Sequence, residues 1–243
     1  MASAQIQIQE LLKNVSLFGE LVPEELDRVA AGAAQVRADT GTLLFRRGEP
    51  CTGFYIIVSG QVKLAFSGAE GAEKVVEILG PGQSFGEALL FNDKPHMGFA
   101  ETLTDSLLLW IGKAVLFAEI DRNPRFARKM LADLGQRLHR MIADIEAYSL
   151  MSSTQRVIGY LLRDVPAQVS APLVVKLPAT KGVVASRLSI TREHFSRVLH
   201  ELCAAGLIEV NGRSVRVVDA GHLRAWEGED RSRQSRRLNC RQD

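Results

Sequence analysis

Residues 124–148 read PRFARKMLADLGQRLHRMIADIEAY, and their apolar spacing predicts one long helix. Spacings of three and four residues separate its apolar seam residues, Leu131, Leu134, Leu138, Met141, Ile145 and Tyr148. This is the a/d pattern that places side chains along one narrow seam of a two-stranded coiled coil. Asn123 can cap the helix, and Pro124 suits its first position. We therefore predict a dimerisation helix at residues 123–150 with those six side chains at the interface. A core helix of a monomer is the alternative, although such a helix needs a broader apolar face.

The overall composition suits one or two globular domains. The chain has 243 residues, 46% of them hydrophobic and 24% charged. It contains no apolar run long enough to span a membrane and no secretory signal near its start, so we expect a cytoplasmic protein without a membrane partner. The cysteines Cys51, Cys203 and Cys240 form no C-x-x-C pair, which argues against an iron–sulfur cluster or a thiolate metal site. The net charge of +2 neither requires nor excludes nucleic acid as a partner.

The segment before the long helix changes its periodicity partway. Residues 6–34 have a helical pattern, in which Pro23 marks a second short helix. Short β-rich runs separated by glycine or proline then follow at residues 42–45, 54–58, 61–66, 73–79 and 102–111. Many short strands at near-regular spacing indicate a barrel or jelly roll. We therefore predict one strand-rich domain at residues 1–122.

The segment after the long helix, residues 151–223, has the pattern of a helix-turn-helix. Within residues 181–200, apolar side chains recur at spacings that let two short helices pack across a turn at Ser189. Thr191 can cap the second helix. The outward residues of that helix form one short arc near its N-terminal end: Arg192, Glu193, Ser196 and Arg197. Arginine pairs with guanine and glutamate accepts from cytosine, so this arc suits a major-groove reader. A merely solvated helix face is the alternative.

A hairpin is predicted behind these two helices, and it would complete a winged helix. Residues 207–210 and 214–218 are β-rich and flank Asn211-Gly212, which predicts a type I′ turn. Arg213 and Arg216 lie on this hairpin, within reach of DNA phosphates in such a fold.

The end of the chain and the lack of catalytic motifs complete the sequence pattern. Residues 224–243 are predicted to be a disordered arginine-rich tail, so the predicted DNA-binding domain ends at residue 223. No Ser–His–Asp set, phosphate loop or H-E-x-x-H motif occurs, so we do not expect an enzyme.

Several strings together resemble the CRP/FNR superfamily of bacterial transcription regulators. GTLLFRRGE at 41–49, FYIIVSGQV at 54–62 and FGE at 85–87 look like the β-roll of cyclic-nucleotide-binding domains. REHFSR at 192–197 is similar to the E-x-x-S-R pattern of the FNR branch. The resemblance implies an α+β protein with an N-terminal cyclic-nucleotide-binding-like β-roll (jelly roll), a long dimerisation helix and a C-terminal winged helix-turn-helix. It also implies a homodimeric transcription regulator whose partners are double-stranded DNA and RNA polymerase.

The same resemblance implies which bases are read. In the FNR branch the motif reads a palindrome of TTGAT-like half-sites, which gives Glu193, Ser196 and Arg197 as base readers, with Thr191 and Arg213 as further DNA contacts. Arg192 stands where the cyclic-AMP receptor also has an arginine that reads guanine. A preference for TGTGA-like sites therefore stays open.

The resemblance further implies an effector pocket that differs from the cyclic-AMP site. The predicted pocket residues are Phe85, Gly86, Glu87, Met97, Phe99, Met141 and Ile142. In cyclic-AMP-binding members the glycine and glutamate hold the ribose, and an arginine and a serine hold the phosphate. Here the latter positions are Met97 and Gly98. A buried phosphate needs a charged donor, so we expect no tight binding of cyclic AMP.

Within the FNR branch, the chain most resembles the dissimilatory nitrate respiration regulator (DNR) type, which responds to nitric oxide through heme. RLH at 137–139, IADI at 142–145, FSR at 195–197 and the apolar pocket carry this likeness, as does the lack of the oxygen sensor's N-terminal cysteine cluster. Heme suits an apolar cavity with one or two axial donors. His96 and His139 are the candidate ligands. A different small molecule, or no effector, remains the alternative.

Overall fold

The computed structural model describes residues 2–68, 71–166 and 171–226, with side chains described from residue 7 onward. The chain divides into two compact units, Met1–Met141 and Ile142–Asp243. The part of the predicted tail that begins at residue 227 lies outside the described residues.

The first unit contains helices at both ends and eight short strands between them. Its helices are α1 (Ala2–Lys13), α2 (Pro23–Ala31), α3 (Lys113–Arg122) and the first part of α4 (Pro124–Leu150). Short 3-10 helices occur at Ser16–Phe18 and Glu87–Asn92. The strands are β1 (Ala33–Ala38), β2 (Leu43–Phe45), β3 (Gly53–Ser59), β4 (Val62–Ser67), β5 (Glu73–Leu79), β6 (Ser84–Phe85), β7 (Phe99–Thr102) and β8 (Ser106–Gly112).

These strands form two antiparallel sheets, which confirms the predicted β-roll. The strand orders are β1-β8-β3-β6 and β2-β7-β4-β5. The predicted single strand at residues 102–111 was wrong, because it contains the end of β7 and nearly all of β8, which belong to different sheets. The chain changes sheets between Thr102 and Ser106. Asp105 fixes this corner, since its carboxylate accepts hydrogen bonds from the backbone N–H and the hydroxyl of Thr40, both at 2.9 Å.

Two apolar clusters hold the first unit together. One lies within the β-roll and includes Phe45, Ile57, Phe85 and Leu108. The other packs the helices against the roll, and there the rings of Phe18 and Phe126 stack with centroids 5.5 Å apart. Phe126 and Met130 are buried in this cluster. The first two turns of α4 therefore belong to the core of the unit, and the exposed apolar seam begins only after them.

The long helix follows the prediction closely. The Asn123 side-chain oxygen accepts from the backbone N–H groups of Arg125 (3.0 Å) and Phe126 (3.2 Å), so it caps α4. Three seam residues stand out from the described surface, Leu131, Leu138 and Ile145, at 68%, 60% and 64% exposure. Such exposure is far above that of a core residue, so the residues that the structure describes do not cover these three side chains.

The second unit is a helix-turn-helix with a three-stranded sheet. After the end of α4 it contains α5 (Ser153–Leu161), β9 (Leu173–Lys176), α6 (Lys181–Arg187), α7 (Arg192–Ala204), β10 (Ile208–Asn211), β11 (Ser214–Val217) and α8 (Ala220–Ala225). The sheet is antiparallel in the order β10-β11-β9. Buried side chains from α5, α6 and α7 pack together, among them Val157, Leu161, Val184, Phe195 and Leu202. The predicted winged helix-turn-helix is confirmed, and α8 extends two residues past the predicted boundary at 223.

The wing turn differs by one residue from its prediction. Asn211 pairs with Ser214, so the two loop residues are Gly212 and Arg213. Type I′ turns need positive φ at both loop residues, whereas here only Gly212 has it, at +58°. The prediction of a type I′ turn at Asn211-Gly212 was therefore wrong. Glycine at the first loop position is the pattern of a type II′ turn, which also suits a two-residue hairpin. Arg213 consequently stands at the tip of the wing.

None of the described helices is both long and apolar enough to cross a membrane.

Candidate functional site

Helix α7 presents a polar arc at its N-terminal end. Thr191 caps the helix, since its hydroxyl oxygen accepts from the backbone N–H of His194 at 3.1 Å. On the inner face Phe195, Val198, Leu199 and Leu202 are buried. On the outer face Thr191, Arg192, Glu193 and Arg197 are exposed, and Ser196 is half-buried. Within the described part of the chain, Arg192, Glu193 and Arg197 form no ion pair, so their charges are available to an external partner.

The wing places a second basic group at an exposed position. Arg213 is exposed at the tip of the β10–β11 hairpin and forms no ion pair with any described residue. Arg216 behaves differently, because it pairs across the hairpin with both carboxylate oxygens of Glu209 at 3.1 and 3.0 Å. Of the two wing arginines, Arg213 is therefore the better placed to contact a phosphate.

The first unit contains an apolar cavity between the β-roll and α4. Its volume is about 320 Å³, within the range of small-molecule sites. Of the predicted pocket residues, Gly86, Met97, Phe99 and Met141 line it. Sequence reasoning missed much of the wall, which includes Phe45, Leu64, Leu134, Arg137 and Leu138. The spacing of Leu134, Leu138 and Met141 on α4 could have indicated these helix residues, because it puts all three on one face.

The other predicted pocket residues are not among those that line this cavity. Phe85 is fully buried in the β-roll cluster, where its ring stacks with that of Tyr55 at a centroid distance of 5.2 Å. Glu87 is turned toward Arg137. Ile142 is exposed on α4 and belongs to the second unit.

The cavity wall offers little to a phosphate group. Met97, which stands in place of the phosphate-binding arginine, is apolar and 60% exposed. A Cβ atom on Gly98, which stands in place of the serine, would lie 2.5 Å from the carbonyl oxygen of Ala65. A side chain at Gly98 therefore requires a backbone shift. Arg137 is the cationic residue among the lining residues, and two carboxylates already hold it.

Arg137 bridges Glu77 and Glu87. Its guanidinium lies 2.7 Å from a carboxylate oxygen of Glu77 and 2.8 Å from one of Glu87, and the three side chains are only 4–15% exposed. Burial alone would lower the pKa of Arg137, but the carboxylates of Glu87 and Glu77 outweigh burial and raise that pKa. The second carboxylate oxygen of Glu87 is buried without a hydrogen-bond partner among the described residues. The glutamate of the FGE motif is thus engaged by α4.

The two histidines proposed as heme ligands differ in position. His96 is only 6% exposed, lines the cavity and stacks on the ring of Phe45 with centroids 3.7 Å apart. Burial lowers the pKa of His96, although the nearby Glu49 carboxylate acts in the opposite direction. A neutral imidazole is the form that binds a metal ion. His139 is exposed on α4 and is not among the lining residues. Among the described residues, no group of three or more His, Cys, Asp or Glu side chains is placed to hold a metal ion.

Two domain families match the chain in the order in which the two units occur. Residues 35–123 match the cyclic nucleotide-binding domain, and residues 155–226 match the Crp-like helix-turn-helix domain. The chain belongs to the CRP/FNR superfamily of transcription regulators. It is accordingly a DNA-binding transcription regulator of the CRP/FNR type and not an enzyme.

Individual members of the superfamily match most of the chain. The "CRP-like cAMP-activated global transcriptional regulator" of Mycobacterium tuberculosis is 26% identical over 219 residues, 89% of this chain and 98% of that protein. The "Cyclic AMP receptor protein" of Thermus thermophilus is 29% identical over 87% of this chain and 96% of that protein. The solved sensor domain of the transcriptional regulator DNR from Pseudomonas aeruginosa is 34% identical with a TM-score of 0.51, covering 57% of this chain and 93% of that one.

The Arg137 bridge generates a stability prediction. Arg137→Met keeps most of the side-chain volume but leaves the buried Glu87 and Glu77 carboxylates without their cation. Removing one partner of a buried pair costs about 3–5 kcal/mol, so we expect a loss of that size in the free energy of unfolding. Denaturant unfolding measures it. Arg140→Met is the matched control, because Arg140 is half exposed and lies 3.9 Å from Glu77. Equal stabilities of the two variants would contradict the assigned role of Arg137.

Proposed function

We propose that this regulator is an effector-responsive homodimer that binds a palindromic TTGAT-like site through Glu193, Ser196 and Arg197. The observation that carries the proposal is the polar arc at the start of α7, where these side chains face outward without an ion pair among the described residues. A bidentate arginine pairs with guanine O6 and N7, and a glutamate accepts from cytosine N4. Thr191 and Arg213 would contact the DNA backbone, which fixes the register on the duplex.

The exposed seam of α4 supports the homodimer. Single exposed leucines are common on protein surfaces, but an exposed row at coiled-coil spacing is not. Leu131, Leu138 and Ile145 form such a row, and a second copy would bury it. A two-fold dimer would present two copies of α7 to half-sites about 34 Å apart, which is the spacing of successive major grooves. Family membership also supports RNA polymerase as a partner and the cytoplasm as the location.

The dimer proposal predicts the effect of a charge on the seam. Leu131→Asp would place a carboxylate in an apolar interface, and we expect dimerisation to weaken about 100-fold. Sedimentation equilibrium measures this constant. Ala132→Asp adds the same charge to the same helical turn off the seam, and we expect it to remain dimeric. A wild-type monomer, or a Leu131→Asp dimer as tight as the wild type, would refute the homodimer.

Base reading by Arg197 predicts a loss of affinity and of specificity. Arg197→Ala should weaken binding to a TTGAT-N4-ATCAA duplex by about 5- to 150-fold, because the bidentate pair with guanine is lost. It should also reduce discrimination at the guanine of each half-site. Gel-shift titration at fixed salt measures both effects. Arg163→Ala removes an exposed arginine elsewhere in the same unit and serves as the control. An unchanged affinity of the Arg197→Ala protein would count against the assignment.

A TGTGA-like site and a cyclic-AMP response form the second candidate. Two relatives are named for cyclic AMP, and Arg192 is exposed next to the base-reading residues. Competition between TTGAT-like and TGTGA-like duplexes, with and without cyclic AMP, separates the two candidates. Preference for the TGTGA-like duplex only when cyclic AMP is present would favour the second.

The cavity supports an apolar effector, with heme as the leading candidate. Heme is a large, mostly apolar ligand that needs an axial donor, and the cavity combines an apolar wall with the buried imidazole of His96. Met97 lies at the same wall and offers a thioether. When bound, heme would supply an iron that takes up nitric oxide. The protein residues would bind the macrocycle, exclude water and hold the neutral His96 ring toward the cavity.

Heme reconstitution tests this assignment with a matched pair of variants. We expect the wild-type protein and His139→Ala to give the same Soret band, which shifts on addition of nitric oxide. His96→Ala should lose or shift that band, because it removes the donor at the cavity wall. Calorimetric titration with cyclic AMP should give no constant in the micromolar range or tighter. A wild-type protein that gives no Soret band would exclude heme and point to another apolar molecule.

A further inference from the structure

The turn between α6 and α7 is held by side chains from two other helices of the second unit. The hydroxyl of Tyr148, near the end of α4, donates to the carbonyl oxygen of Arg187. A guanidinium nitrogen of Arg156, on α5, donates to the carbonyl oxygens of Leu188 at 2.7 Å and Ser189 at 3.3 Å. Three successive carbonyl groups of the turn are thus engaged by side chains from outside the helix pair.

Arg187 completes the connection in the opposite direction. It is the last residue of α6 and only 7% exposed, and its guanidinium reaches back to the Asp144 carboxylate and the Tyr148 hydroxyl. Asp144 and Tyr148 are one helical turn apart on α4, so both face the same turn of the helix-turn-helix. Tyr148 was predicted as a seam residue, yet it is half-buried and its hydroxyl is engaged here.

The turn needs such support because of its backbone. Ser189 has a positive φ of +56°, a conformation that costs free energy in any residue other than glycine. The direction in which the chain leaves this turn sets the direction of α7, which begins three residues later at Arg192. The hydrogen bonds to the three carbonyls therefore act on the orientation of the DNA-reading helix.

We infer that Tyr148 and Asp144 are positioning residues for DNA recognition, which fix the turn before α7 to the last two turns of α4. Ile145 lies between them along α4 and is one of the exposed seam residues. The inference rests on the proposed reading of DNA by α7, but not on the identity of the half-site or of the effector.

Tyr148→Phe isolates the hydroxyl and retains the ring. We expect it to weaken binding to a duplex, selected from a random pool with the wild-type protein, by about tenfold, the scale of one lost hydrogen bond to a charged group. Tyr160→Phe is the matched control, because Tyr160 is a half-buried tyrosine of the same unit whose hydroxyl forms no hydrogen bond to a described residue. It should bind within twofold of the wild type.

Three measurements separate positioning from a purely structural role. Tyr148→Phe should remain folded at the temperature of the binding assay, which an unfolding curve checks, and bind random-sequence DNA within twofold of the wild type, while losing affinity for the selected duplex. Asp144→Asn should behave in the same way, and the double variant should lose less than the product of the two single losses because both act through Arg187. Wild-type affinity of Tyr148→Phe for the selected duplex would overturn the inference, and so would a parallel loss on selected and random DNA. A wild-type protein that selects no duplex would instead overturn the proposed function.

Discussion

The structure depends on a constraint placed on one helix, α4, whose successive turns face different surroundings. Its first two turns are buried through Phe126 and Met130 in the core of the first unit. Arg137 then bridges Glu77 and Glu87 of the β-roll, which orients the middle of the helix about its axis. With that rotation fixed, the period of 3.6 residues decides which side chains face solvent. Within the first unit, Leu131 and Leu138 are consequently left uncovered by the described residues. Within the second unit, Asp144 and Tyr148 contact the turn before α7.

The Arg137 bridge also occupies the arginine that stands among the described residues lining the cavity. Desolvating a guanidinium and two carboxylates is costly, and their mutual attraction offsets this cost only while all three are present. The bridge therefore commits the glutamate of the FGE motif to α4 rather than to a ligand hydroxyl. At the cavity wall the side chain of Met97 is apolar, and the close approach of the Ala65 carbonyl leaves no room for a serine at residue 98. What remains is an apolar wall with the imidazole of His96.

Periodicity in the sequence predicted the elements but not the partners of individual side chains. The seam of α4 and the two helices around Ser189 followed from apolar spacing, because burial of one face imposes that spacing on any sequence with this fold. Tyr148 satisfies the same spacing, yet its hydroxyl binds Arg187, which lies 39 residues away in the chain. Glu87 likewise pairs with Arg137, which lies 50 residues away in the chain. The division of residues 102–111 between two sheets depends on Asp105 meeting Thr40. Local sequence patterns do not predict such contacts, because the contacts depend on how distant segments of the chain pack together.

The placement of Leu134, Leu138 and Met141 links the cavity to the proposed dimer in energetic terms. These residues belong to the apolar seam and also line the cavity, so the proposed effector and the proposed second copy would share them as contacts. An effector changes the behaviour of a protein only if it binds one arrangement better than another. Side chains shared between the two proposed contacts are where such a difference in affinity would arise. A difference of only a few kcal/mol in effector affinity between two seam arrangements would change their relative population by a factor of a hundred or more, since about 1.4 kcal/mol corresponds to a factor of ten.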